Sequence, residues 1–283
     1  MFMRGKSVVI TEATTALGRA TAEGLARRGA SLVLVGGDRV QLSSVAERVI
    51  RDFPDTMLKT LVADLSSMME VRRSASEIMS EQHRIDVLIN NVGTAAQVRE
   101  VTVDGYERTF ALGHLAPFLL TNLLLASLRS SAPSRIITVS SSPYRAGSLN
   151  LDDPMLERGY STSRACGQTK LANILFTCEL AQRLQGTGVT ANFVGLRSGR
   201  TRFGIEASGT THLDMVAVRP FELSWMSGFG TTIYLAASPE AEGLTGRCFT
   251  GMRPRRPAPA SYDREAARML WEVSERLTGL RTR

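Results

Sequence analysis

The chain has 283 residues, 43% of them hydrophobic, with three cysteines and a formal net charge of +7. That length supports one large core, so a single domain over residues 1–283 is expected; Cys166, Cys178 and Cys248 lack ligand spacing and point to neither a disulfide framework nor a metal site. The basic residues are scattered apart from Arg253-Pro254-Arg255-Arg256, which has no interleaved aromatics, so the charge reads as solvated surface or a steering field for an anionic small molecule and not as a nucleic-acid interface.

Residues 1–6 carry no apolar stretch of the kind a signal peptide needs. The longest apolar run, 118–128, is interrupted by Thr121 and Asn122 and is too short to span a bilayer. A soluble, cytoplasmic protein without a membrane span is therefore expected. In chain order, an apolar strand at 7–11 leads through a turn into a helix at 17–28, and a second strand at 31–35 closes on Gly36-Gly37-Asp38. A helix at 41–52, a strand at 58–63 ending in Asp64-Leu65, and a helix at 68–82 follow. Further strands fall at 85–90, 135–140, 189–194 and 244–250, with a buried helix beginning near Ser163 and a closing amphipathic helix at 263–277. Continuous apolar strands alternating with amphipathic helices predict a parallel sheet of about seven strands covered on both faces. That is a doubly wound α/β domain of Rossmann type, which takes ligands at the carboxyl ends of its strands. Residues 142–161 and 195–219 lack clear periodicity and follow strand ends on that side, where substrate loops belong.

Several short motifs occur in a telling order: Asp64-Leu65, Asn90-Asn91-Val92-Gly93, Gly113-His114-Leu115, Val139-Ser140-Ser141 and Lys170-Leu171-Ala172-Asn173. Together they resemble the short-chain dehydrogenases/reductases, in particular the retinol-dehydrogenase-like branch. The resemblance implies a nicotinamide dinucleotide in a glycine-rich turn of pattern Thr-Gly-x-x-x-Gly-x-Gly, where glycines admit the pyrophosphate to the backbone and a helix N-terminus faces it. In this chain the turn reads Thr11-Glu12-Ala13-Thr14-Thr15-Ala16-Leu17-Gly18. Ala16 adds one methyl. A Glu12 carboxylate about 4 Å from a phosphate, at an effective dielectric near 20, is repelled by roughly 4 kcal/mol, on the order of a thousandfold in affinity. Turned to solvent or to the helix N-terminus it would do no such harm, and both orientations stay open.

On the remaining cofactor surface the resemblance assigns Thr11, Glu12, Leu17, Gly18, Asp38, Asp64, Leu65, Asn91, Gly93, Lys170 and Thr201. Asp38 stands where a ribose hydroxyl would be accepted, and Gly37 replaces the arginine of relatives that take a 2′-phosphate. For catalysis the family uses a serine, a tyrosine, a lysine and an asparagine. Ser141 and Lys170 match the first and third, whereas Cys166 stands for the tyrosine and Gly113 for the asparagine. A thiol is several ångströms shorter than a phenol and a weak donor, so it cannot reach the same oxygen, and proton transfer requires hydrogen-bond reach. Cys166 reads either as a thiolate activated by Lys170 one turn away or as an inert small hydrophobe. Tyr144 and Tyr160 are candidate phenols from the substrate loop; Arg197, Arg200 and Arg202 are candidate grips on an acidic substrate; His114 reads as a packing or capping group.

These losses lead to an expectation of repurposed chemistry. The leading reading is a redox-neutral cyclase, dehydratase or isomerase acting on a small, secondary-metabolite-like molecule through Ser141, Lys170, Cys166 and Tyr144, with NAD(P) binding weakened and no cofactor required. The alternatives are an NAD(P)-dependent oxidoreductase with an unusual proton donor and a non-catalytic scaffold. The helices at 118–128 and from Ser163 correspond to the family's dimer-forming pair, and their leucines predict an apolar patch and hence a homodimer or homotetramer.

Overall fold

The computed structural model describes residues 2–91, 96–141, 147–196 and 219–280. Eight strands form one sheet in the order β3-β2-β1-β4-β5-β6-β7-β8. They are β1 (Ser7–Ile10), β2 (Ser31–Gly36), β3 (Leu58–Val62), β4 (Val87–Asn90), β5 (Ser134–Ser141), β6 (Val189–Leu196), β7 (Cys248–Thr250) and β8 (Arg253–Arg255). The first seven pair in parallel and β8 returns antiparallel to β7. The helices are α1 (Ala16–Ala26), α2 (Arg39–Asp52), α3 (Met68–Glu81), α4 (Arg108–Phe110), α5 (Ala116–Leu123), α6 (Leu125–Ser130), α7 (Thr162–Arg183), α8 (Arg219–Ala237) and α9 (Arg264–Thr278). The strand order reverses between β1 and β4, which opens the ligand crevice of a doubly wound sheet at their carboxyl ends.

The central strands are buried on both faces: every residue of β1 and β4 is inaccessible or nearly so, as a parallel sheet clad by helices requires. One core face gathers Val9, Leu88, Phe110, Phe118, Ile136, Phe176 and Trp271 under α3, α5, α7 and α9. The other gathers Val8, Ile10, Leu25, Leu34, Ile89, Val194 and Ile233 under α1, α2 and α8. No described helix is long and apolar enough to cross a membrane.

Three expectations change. The sheet has eight strands, not about seven, because Arg253-Pro254-Arg255 pairs with β7. Its three residues are all exposed, so it carries no hydrophobic pattern, and proline is tolerated at such an edge. The helix at 118–128 is in fact a chain of short pieces. It runs from α4 through a π-helical turn, Ala111–Leu115, into α5 and α6.

The expected dimer patch is not on the surface. Trp271 of α9 packs edge-on against Phe118 of α5, ring centroids 5.0 Å apart, and lies 5.8 Å from the Phe176 ring of α7. The closing helix thus covers from within the face from which a homodimer or homotetramer was inferred. Leu119, Leu120, Leu171 and Leu175 are all buried within the chain, so these leucines form no exposed patch.

Candidate active site

The β1–α1 turn is held by its cap. Thr15 is the N-cap of α1, its Oγ1 accepting from Gly18 N at 3.1 Å and donating to the Glu12 carbonyl at 2.9 Å. Gly18 is obligatory, since a Cβ there would lie 2.4 Å from the same carbonyl. Thr11 and Asn91 lock the ends of β1 and β4 together. Thr11 Oγ1 donates to the Asn91 carbonyl at 3.2 Å, and Asn91 Nδ2 donates to the Thr11 carbonyl at 2.9 Å.

Glu12 lies in the left-handed region at φ 48°, a conformation that glycine adopts freely and a glutamate does not. Its side chain is half-buried, and burial, followed by the Asp64 carboxylate, raises its carboxyl above the ordinary value while Arg108 opposes. Its electrostatic neighbours are thus Asp64, which follows β3, and Arg108 of α4. Asp38 sits at the end of β2 as the exposed N-cap of α2, accepting from Gln41 N at 2.9 Å and Gln41 Nε2 at 3.2 Å. The first of these bonds holds its carboxyl below the ordinary value. Asp64 accepts from Ser66 N at 2.9 Å. Leu17 is half-buried in the first turn of α1, and Leu65 is a core residue at 3% exposure, so only its backbone can face a ligand.

Across the crevice, the N-cap Ser161 starts α7 by accepting from Arg164 N at 3.2 Å. Lys170, two turns in, is nine-tenths buried, and among the described residues its ammonium has no hydrogen-bond or ion-pair partner. Burial pulls it down to about 8, with Cys166 opposing. Cys166 is half-exposed one turn earlier on the same helix. The backbone of Ser141 ends β5, in register with Leu196 of β6; its side chain, together with Gly93, Tyr144, Arg197, Arg200, Thr201 and Arg202, falls outside the described residues. Tyr160 is not free to donate, because its hydroxyl already donates to the Ala96 carbonyl at 2.8 Å and burial raises its phenol.

The position of Gly113 has a structural explanation that the sequence did not reveal. Asn173 Nδ2 donates to the Gly113 carbonyl at 2.7 Å, supporting a group left over by the π-helical turn. That bond makes Asn173 Oδ1 an acceptor. His114 Nδ1 lies 3.2 Å from that oxygen and Nε2 lies 2.9 Å from Ser274 Oγ, whose hydroxyl donates to the Leu270 carbonyl at 2.7 Å. The motif Lys170-Leu171-Ala172-Asn173 was noticed as a whole, but nothing in the spacing linked Asn173 to residues sixty positions away.

His114 is wholly buried, and burial drives it down to about 4, with the Asn173 bond opposing. Between about 6.5 and 4 the unfolded chain binds a proton that the folded chain refuses, so stability is lost as pH falls through that window. At about 1.4 kcal/mol per unit the loss is on the order of 3 kcal/mol. Urea denaturation at pH 7 and pH 4 is expected to show it in the wild type and a flatter dependence in His114→Gln; equal dependences would refute the assignment.

The crevice fits a nicotinamide dinucleotide at most points. The left-handed residue, the capped start of α1 and the close-packed Gly18 build a phosphate turn. The buried Asn91 Oδ1 has no partner at the strand ends, and among the described residues the Lys170 ammonium has none either. The one discordant group is the Glu12 carboxyl. Among the described residues there is no cluster of His, Cys, Asp or Glu able to hold a metal. A cavity of about 1080 Å³ lies elsewhere, between α1 and α8 beside Arg27, Ile233 and Tyr234, and contains none of these residues.

The fold and crevice define a doubly wound α/β domain of the type that takes dinucleotides at its strand ends. Residues 6–207 match the family model described as short chain dehydrogenase, and the chain belongs to that family. It is 41% identical to retinol dehydrogenase 14 of Mus musculus over 295 residues, spanning 98% of this chain and 87% of that protein. It is 39% identical to retinol dehydrogenase 13 of Homo sapiens, spanning 98% and 85%. Among solved structures it superimposes with TM-score 0.78 and 31% identity on an uncharacterized protein of Mycobacterium paratuberculosis, covering 98% of this chain and 94% of that one. These relatives overturn the redox-neutral reading. The cyclase, dehydratase or isomerase expectation, and with it the idea that no cofactor is required, rested on what the site lacks, whereas retinol dehydrogenases are by name oxidoreductases.

Proposed function

We propose that the chain is an NAD(P)-dependent oxidoreductase that interconverts an apolar alcohol and its carbonyl compound, with Lys170 as the proton donor and acceptor. The observation that carries this reading is the ammonium of Lys170, nine-tenths buried and without a partner among the described residues, in the crevice of a short chain dehydrogenase. The identity to retinol dehydrogenases along nearly the whole chain supports the reaction class and an apolar substrate of retinoid type.

The bound dinucleotide supplies or accepts the hydride. The protein's part is to hold the cofactor and to manage a proton. Asp38 and Asp64 would offer acceptors on the adenosine side, and the Thr15-capped start of α1 would hold the pyrophosphate. In the carbonyl-reducing direction the Lys170 ammonium gives its proton to the oxygen as it becomes an alcohol, then recovers one from solvent. In the reverse direction the neutral amine takes the hydroxyl proton. A donor with a pKa of about 8 suits both directions near neutrality. With Gly113 in place of the asparagine and Cys166 in place of the tyrosine, no other described titratable group is so placed.

Calorimetric titration with NADH and NADPH, followed by retinal-dependent oxidation of the bound form, tests the proposal. Saturable binding and substrate-dependent oxidation are expected. Absence of binding at millimolar cofactor would overturn it.

A further inference from the structure

Glu12 is the left-handed residue of the β1–α1 turn, so the backbone keeps a glycine's conformation while carrying a carboxylate. Neither neighbour allows that backbone to retreat. Its carbonyl is held by Thr15 N at 3.2 Å as well as by Thr15 Oγ1, and Gly18 packs against it from the first turn of the helix. The turn is thus already shaped for a dinucleotide, and what stands against a pyrophosphate is one side chain's charge.

Building on the oxidoreductase reading above, we propose that Glu12 is a proton gate on the cofactor: the pyrophosphate docks with the Glu12 carboxyl protonated, so binding takes up a proton from solution. The charged groups around it come from every neighbouring element. Asp64, after β3, disfavours the carboxylate, and Arg108 of α4 favours it. Arg108 is itself shared with Glu100 at 3.6 Å. Arg19 of α1 is turned away to the Thr14 carbonyl and Gln41, and Asp38 is engaged in capping α2. Burial and Asp64 already raise the Glu12 carboxyl in the free protein, so adding the proton costs less than at an ordinary carboxyl. An incoming pyrophosphate is a further anion and raises it more. Affinity is then greatest at low pH. It falls about tenfold per pH unit between the carboxyl's value in the free protein and its higher value in the complex, and levels off above.

The test is calorimetric titration of NAD⁺, which is acid-stable and has no 2′-phosphate to titrate, into wild type, Glu12→Gln and Glu12→Gly between pH 8 and pH 5. Two buffers of different ionisation enthalpy count the protons taken up. The wild type should bind more tightly as pH falls, with proton uptake. Glu12→Gln should show a flat profile and bind at pH 8 about ten- to hundredfold more tightly, the half-exposed position allowing solvent to screen the full charge effect. Glu12→Gly should bind at least as well, being also free of backbone strain. Equal pH slopes in wild type and Glu12→Gln, or no gain at pH 8, would overturn the gate and leave the oxidoreductase reading standing. Failure of all three folded proteins to bind NAD⁺ at any pH would overturn both.

Discussion

Trp271→Ala is expected to destabilise the fold by about 3–5 kcal/mol, the range for removing a large buried aromatic. The indole is 3% exposed and makes four separate contacts. Its ring lies edge-on to Phe118 and tilted to Phe176, the Arg183 guanidinium stands 4.0 Å above it, and Nε1 donates to Glu275 Oε1 at 2.7 Å. Truncation leaves a cavity between α5, α7 and α9, removes a cation–π contact and uncovers the face from which a dimer was expected. Against a total stability of roughly 5–15 kcal/mol that is a large fraction. Urea unfolding monitored by circular dichroism should show a midpoint shifted far down. Trp271→Phe, which keeps most of the ring, should recover more than half of the loss. A shift below about 1 kcal/mol for the alanine variant would mean that α9 is only loosely docked. The uncovered Phe118 and Phe176 should also make the variant's apparent mass concentration-dependent in light scattering, which the wild type should not show through this face.

How much of this was legible in the sequence depends on the distance over which each signal acts. The strands and most helices are written in local periodicity, and β1, β2, β3 and α2 lie within two residues of where the pattern puts them. The edge strand β8 was not, because three exposed residues with a central proline carry no pattern and pair only because β7 is there. The exposed apolar patch was misplaced for a similar reason. The leucines of α5 and α7 are indeed apolar, but what covers them is the closing helix, far along the chain from both, and no local pattern says where a terminal amphipathic helix will dock. At the site, the presence of Lys170 and the losses at Cys166 and Gly113 could be read directly. What could not be read was the π-helical turn that makes Gly113 a backbone acceptor for Asn173, or the left-handed backbone under Glu12. The redox-neutral reading weighed missing residue types and could not weigh the burial of Lys170.

Burial is also why Lys170→Ala is expected to lower turnover by about a hundred- to ten-thousandfold, the usual worth of a positioned acid or base. The pH dependence separates that role from mere ribose binding. Reduction of a carbonyl needs the ammonium, which is held at about 8, so the reductive rate should be level below that pH and fall about tenfold per unit above it. Alcohol oxidation needs the amine and should rise through the same range. Lys170→Arg keeps a cation on α7, but a guanidinium stays charged beyond pH 12. Its cofactor affinity by calorimetry should therefore remain within about tenfold of wild type while the oxidative rate loses its rise near pH 8. If Lys170→Arg keeps the wild-type pH profile, the titrating group lies elsewhere and Lys170 only holds the cofactor. Cys166→Tyr supplies the complementary test, since it returns a phenol to α7 one turn before the lysine. A proton carried by that phenol with Lys170 beside it should raise the rate in both directions and move the pH limbs away from the wild-type position. An unchanged profile would show that the thiol's neighbourhood has closed around something shorter than a tyrosine, and that the lysine works alone.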